Sequence, residues 1–147
     1  MASLLPDAYR GVRDIQQVQV WGIRPEAAQA IVARLQAQGM EASVATDLEQ
    51  AVRGADIISC ATLSTAPLVR GEWLQPGAHL DLIGSFTPAM RESDDACFAR
   101  ATVFVDTPGA MMKACDILAP IARVACAQRQ LCATLEQRCR GQPAGRP

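Results

Sequence analysis

The stretch Ala55-Asp56-Ile57-Ile58-Ser59-Cys60-Ala61-Thr62 decides the fold together with its counterpart downstream, His79-Leu80-Asp81-Leu82-Ile83-Gly84-Ser85. In each, an apolar run closes on small or polar residues. Between them stand Pro67-Leu68, Gly71-Glu72-Trp73-Leu74 and Pro76-Gly77, a connection rich in turn residues. Short apolar runs such as residues 57–60 suit strands covered on both faces, as parallel strands are. Two such strands side by side predict a cofactor cleft, because open α/β sheets bind ligands beyond the carboxyl ends of their strands.

Working outward, Val18-Gln19-Val20-Trp21 alternates and predicts a strand. Pro25 is placed to open a helix, where its missing N–H costs nothing. Ala27, Ala30, Ile31, Val32 and Leu35 form the apolar face of that helix, and Gly39 stops it. Residues 42–45 predict a short strand. Thr46 or Asp47 caps a further helix, with Gln50 able to reach back and Gly54 near its end. Residues 4–13 predict a short helix or helix end, and residues 102–105 another strand. Met111, Met112, Cys115, Ile117, Leu118 and Ile121 recur at helical spacing, and a last helix is expected over about residues 128–139. The alternation of strands and helices predicts an α/β fold with right-handed crossovers and a parallel sheet. One domain is expected over residues 1–140, with a turn-forming, disordered tail at 141–147.

The bulk properties exclude several classes. The chain has 147 residues, 50% hydrophobic and 4% aromatic, so Ala, Val, Leu and Ile carry the packing. A formal charge of −1 and a single lysine, Lys113, provide no basic patch for nucleic acid. No apolar run reaches membrane-spanning length, and the first ten residues lack the basic start of an export signal; a cytoplasmic protein without membrane partners is expected. The six cysteines, Cys60, Cys97, Cys115, Cys126, Cys132 and Cys139, form no C-x-x-C pair. Reduced, packed thiols are expected. A metal site from Cys126, Cys132 and Cys139 is the alternative, disfavoured by their wide spacing.

Taken in order, residues 55–68, 71–79 and 83–94, with Val18-x-Val20-Trp21 and Val105-Asp106, resemble the ornithine cyclodeaminase/mu-crystallin family over roughly residues 9 to 140. The resemblance implies a Rossmann-type doubly wound domain that binds NAD or NADP within a longer, homodimeric protein. Its members include ornithine cyclodeaminases, reductases of cyclic imino acids and alanine dehydrogenases. Three departures stand beside it. The family's G-x-G-x-x-G/A loop would lie just before residue 4, yet no Gly-x-Gly occurs in this chain. The expected sheet is therefore incomplete, lacking its first strand and the loop that cradles pyrophosphate, so weak or absent dinucleotide binding and no activity of this chain alone are expected. The resemblance also leaves the family's substrate domain and its basic residues outside the stretch that matches, so no substrate-binding residue is expected here. Finally, the position two before Pro88, a catalytic Asp in the cyclodeaminase branch, is Phe86, which favours the ketimine and pyrroline-carboxylate reductase branch.

Carried over residue by residue, the resemblance places Gly22, Ile23 and Arg24 at the adenosine ribose. A basic residue there favours a 2′-phosphate, so Arg24 points to NADP ahead of NAD; the alternative is a solvated arginine before a helix. Ala61, Thr62 and Leu63 would line the cofactor cleft, as would Gly84 and Ser85, Gly84 admitting close approach of a nicotinamide or substrate. The alternative for Thr62 is a hydroxyl that caps its own loop. No catalytic residue and no metal ligand is assigned. His79 stands at the amino end of its strand and reads as a partly buried structural histidine. Asp81 needs a partner inside its apolar strand. Cys60 has no histidine beside it and reads as packing. Arg91-Glu92 and Asp94-Asp95 read as a charged helix start. The functional expectation is part of an NAD(P)-dependent reductase of cyclic imino acids. The alternatives are a non-catalytic remnant and a nucleotide-binding or interaction module.

Overall fold

A computed structural model describes residues 2–123 and 131–141. A 3-10 turn at Ala2–Leu4 leads into α1 (Leu5–Arg10), then β1 (Gln17–Val20), α2 (Pro25–Ala37), β2 (Glu41–Val44), α3 (Leu48–Arg53) and β3 (Ile57–Cys60). After a second 3-10 turn at Gly71–Trp73 come β4 (His79–Leu82), α4 (Asp95–Ala99), β5 (Val103–Val105), α5 (Ala110–Lys113), α6 (Cys115–Ala122), β6 (Leu131–Thr134) and α7 (Leu135–Cys139).

The strands form three parallel pairs, β1 with β2, β3 with β4 and β5 with β6. In the doubly wound order 3-2-1-4-5-6, a strand preceding β1 in sequence would stand between β1 and β3. Among the described residues, β1 and β3 each bond one neighbour only, β2 and β4 respectively. The fold is thus α/β, partly Rossmann-type, and its two halves keep separate cores. One gathers Val32, Leu35, Met40 and Ala42, with Val18, Val20, Ile31 and Val44 packed against them. The other gathers Val52, Cys60, Val69, Cys97, Phe98 and Val103, flanked by Ile58, Leu80, Leu82 and Ile117.

Local chemistry accounts for the boundaries. Pro25 stands in the first turn of α2, and Gly39 takes φ +78° just past its end, a backbone region that glycine enters without steric cost. Asp47 caps α3 by accepting a hydrogen bond from the Gln50 N–H at 3.0 Å. Asp94 caps α4 in the same way through the Cys97 N–H at 3.2 Å.

Two expectations need correction. The single helix expected over residues 128–139 is instead a strand, β6, followed by α7. Residues 128–130 lie outside the described residues. Thr134 and Gln137 form a reciprocal capping box that starts the helix only at Leu135, freeing the preceding apolar residues to pair with β5. The helical run after Asp106 divides at Ala114, whose extended backbone separates α5 from α6. Most of the predicted tail, residues 142–147, lies outside the described residues.

Candidate functional site

The site is built at the carboxyl ends of β3 and β4. Their register pairs Cys60 with Leu82, and the Ile83 N–H continues the ladder to the Cys60 carbonyl at 2.9 Å. Ala61-Thr62-Leu63 and Gly84-Ser85-Phe86 therefore leave the sheet side by side. Between them lies the side chain of Glu92, fully buried. Glu92 Oε1 accepts from the Thr62 N–H at 2.5 Å and the Thr62 hydroxyl at 2.8 Å. Glu92 Oε2 accepts from the Gly84 N–H at 2.7 Å. One carboxylate thus ties two strand ends together.

A Cβ on Gly84 would collide with the Thr62 carbonyl and with the Glu92 carboxylate. The glycine is required at this position by the chain's own packing, before any ligand is considered. The Thr62 hydroxyl serves both the Glu92 carboxylate and its own loop, accepting from the Ser64 N–H at 3.3 Å.

Behind Glu92 stands a second buried carboxylate, Asp116, at 1% exposure. It accepts from the Glu92 N–H at 3.0 Å, the Ser93 N–H at 3.0 Å and the Ser93 hydroxyl at 3.0 Å. The Glu92 carbonyl accepts from the Leu68 and Val69 N–H groups. Neither carboxylate has an ion-pair partner among the described residues. N–H and O–H donors hold both, which is how buried charge is tolerated without a cation. Ser85 belongs to the same network: its hydroxyl donates to the Met90 carbonyl at 2.7 Å and accepts from the Asp116 N–H at 3.4 Å.

The run Arg91 to Asp95 is consequently more than a charged helix start. Asp94 and Asp95 do sit at the start of α4. Glu92, however, is withdrawn from solvent, because the turn before α4 folds it back over the strand ends. Arg91 is buried, donates to the Ser93 carbonyl at 3.0 Å and pairs with Asp95, which Arg123 also reaches at 3.3 Å. Burial pushes the Asp95 carboxyl up, but hydrogen bonds from the two guanidiniums outweigh it and hold the group below its ordinary value.

The other sequence-predicted residues lie at the end of β1. Gly22 is half-buried, while Ile23 and Arg24 are exposed. Arg24 occupies the cap position of α2, and its guanidinium makes no hydrogen bond or ion pair among the described residues. Ile23, Leu63 and Phe86, one beyond each of β1, β3 and β4, are all large apolar side chains open to solvent. No hydrogen bond among the described residues links Gly22–Arg24 to Thr62, Gly84 or Ser85. A cavity of about 480 Å³ is lined by Arg10, Val12, Arg13, Asp14 and Ile15, and one of about 190 Å³ by residues including Gln19, Thr46 and Gln50. Both lie away from the Glu92 bridge.

His79 is exposed, not partly buried; it stands at the amino end of β4 with its ring edge-on to Tyr9 at 6.3 Å. Asp81 finds the partners its burial demands, accepting from the Ser59 hydroxyl at 2.9 Å and the Tyr9 hydroxyl at 3.1 Å. Burial, then the negative charges of Glu92 and Asp116, pushes the Cys60 thiol up to about 12, so it is no nucleophile at neutral pH. No cluster of metal-ligating side chains occurs among the described residues. Cys126 lies outside them, and with it the alternative metal site. No described helix is long and apolar enough to cross a membrane.

Comparison with known proteins agrees with this geometry. The sequence matches the ornithine cyclodeaminase/mu-crystallin family over residues 1–147. It is 46% identical over 110 residues to the Delta(1)-pyrroline-2-carboxylate reductase of Paracoccus denitrificans, covering 73% of this chain and 34% of that protein. It is 34% identical over 98 residues to the ketimine reductase mu-crystallin of Mus musculus, covering 67% and 30%. Its fold superposes with a TM-score of 0.91 on the Thermococcus litoralis Delta(1)-pyrroline-2-carboxylate reductase, solved in complex with NADH and L-proline. That match has 24% identity and covers 95% of this chain and 44% of the other. The chain spans less than half the length of these proteins. The full-length match, with the parallel strand ends described above, shows that the chain belongs to the ornithine cyclodeaminase/mu-crystallin family.

Proposed function

We propose that this chain forms the dinucleotide-binding part of an NAD(P)-dependent reductase of cyclic imino acids. The observation that carries the reading is the side-by-side exit of Thr62-Leu63 and Gly84-Ser85-Phe86 from parallel strands. That is where an open α/β sheet takes its ligand. The exposed side chains of Ile23, Leu63 and Phe86 offer apolar surface to the rings of a dinucleotide, and the unengaged Arg24 guanidinium suits a ribose 2′-phosphate, hence NADP ahead of NAD. The fit covers the nucleoside ends. For the pyrophosphate, this chain offers no Gly-x-Gly turn.

A bound reduced nicotinamide supplies the hydride for a C=N bond. Phe86, an exposed apolar side chain beyond β4, suits the hydrocarbon ring of a cyclic imine. The free thiols of Cys60, Cys97, Cys115 and Cys139 suit the reducing cytoplasm. A homodimer is the expected assembly, by analogy with the family. A second reading, a nucleotide-binding or interaction module without catalysis, is favoured by β1 and β3, each bonded on one side only among the described residues and so able to pair with a further strand.

The test is a titration of the purified chain with NADPH and NADH, followed by nicotinamide fluorescence. Saturable micromolar binding is expected, and reduction of cyclic imino acids is then assayed. A folded chain that binds neither nucleotide would overturn the reading.

A further inference from the structure

We propose that Glu92 is a positioning residue for the nicotinamide half of the cleft, holding the carboxyl ends of β3 and β4 at one fixed separation. The proposal rests on the reading of the cleft as a dinucleotide site and adds the residue that shapes it.

The argument starts from how completely Glu92 is used. Its N–H donates to Asp116, its carbonyl accepts from Leu68 and Val69, and its two carboxylate oxygens are divided between strand ends. Oε1 takes both Thr62 donors and Oε2 takes the Gly84 N–H. Each oxygen faces donors alone, so the bridge needs an acceptor on both sides. Glutamine has almost the same shape but carries an NH2 in place of one oxygen. Whichever way the amide turns, a donor meets either Thr62 or Gly84. The substitution therefore breaks one strand end free while leaving the buried volume filled.

The bridge is also local. Doubly wound domains are built from two mononucleotide-binding halves. Glu92 bonds the segments that leave β3 and β4, whereas β1, β2 and α2 keep a core of their own. A change at Glu92 should thus disturb the nicotinamide half and spare the adenine half. A residue needed only for general folding would disturb both. Asp116 supports the bridge from behind by fixing the Glu92 backbone, and Gly84 leaves the space in which the carboxylate lies.

The test compares the wild-type chain with Glu92→Gln, using NADH and AMP as ligands. Hydrogen exchange is followed at the Thr62 and Gly84 amides. We expect Glu92→Gln to stay folded, to weaken NADH binding by about tenfold or more through the lost charge-assisted bond, and to change AMP binding by less than roughly twofold. Protection should fall at Thr62 or Gly84 and persist in α2. Equal NADH affinity in the two proteins would overturn the proposal, as would a parallel loss of NADH and AMP binding. Glu92→Asp provides a second variant should Glu92→Gln not fold: it keeps both acceptors on a shorter stem, and selective loss of NADH binding is again expected. If the wild-type chain binds no NADH, the cleft reading itself fails. Thr62 and Gly84 amides protected in the wild type but not in Glu92→Gln would then show a strand tie with no positioning role, which also overturns the proposal.

Discussion

The Glu92 carboxylate accepts the Gly84 N–H at 2.7 Å and fills the space a side chain on Gly84 would need. Donor, acceptor and missing Cβ form one arrangement. Gly84→Ala drives a methyl group into the Thr62 backbone carbonyl as well as the Glu92 carboxylate, and the backbone cannot yield cheaply. Equilibrium urea unfolding should show a loss of more than about 3 kcal/mol, in the range of overpacking combined with a broken buried hydrogen bond.

Leu35 is fully buried at the centre of the first core. Leu35→Ala should cost about 2–5 kcal/mol in the same measurement. Because Leu35 belongs to a core cluster separate from that of the β3–β4 half, protection of the Thr62 and Gly84 amides should persist until global unfolding.

Thiol chemistry separates the cysteines. Burial first, and then nearby carboxylates, pushes the Cys60 and Cys97 thiols up to about 12. Cys139 is exposed. An aromatic disulfide reagent at neutral pH should therefore label Cys139 rapidly, and Cys60 and Cys97 only after denaturation. The fast phase should be unchanged in Cys60→Ser and reduced in Cys139→Ser.

Asp95 sets a pH dependence. Burial raises it, but the Arg91 and Arg123 hydrogen bonds prevail and its folded value lies below its unfolded one. The group then stabilises the fold above its unfolded value, and this contribution is lost as pH falls from about 4 through the lower folded value. Urea midpoints measured down that range should fall less steeply for Asp95→Asn than for the wild type.

Arg24 is open to solvent and unengaged among the described residues. If it meets a 2′-phosphate, Arg24→Ala should weaken NADPH binding by about tenfold, the worth of one hydrogen bond to a charged group, and NADH binding by no more than roughly twofold. Fluorescence titration with both nucleotides reads the difference directly.

Much of the fold is legible in sequence because its signals are local. Pro25 and Gly39 bracket α2, Asp47 starts α3, and the apolar run at residues 57–60 becomes β3. The helix expected over residues 128–139 shows where locality fails. Leu131–Thr134 become a strand by pairing with β5, a partner some 28 residues away in register at Val103 and Leu131. Periodicity cannot separate a short apolar strand from one turn of helix.

The sequence by itself determined the family, the α/β class and the parallel sense of the strands, since periodicity, capping and ordered motifs are written in neighbouring positions. Only the tertiary structure decided what those residues touch. Glu92, flanked by Arg91 and Asp94-Asp95, has the surroundings of a solvated charge. Folding places it out of water between Thr62 and Gly84, where those strand ends present three donors to its carboxylate. A buried carboxylate is stable only where such donors converge. That convergence joins positions 62, 84, 92 and 116, a coincidence of space that no local pattern encodes.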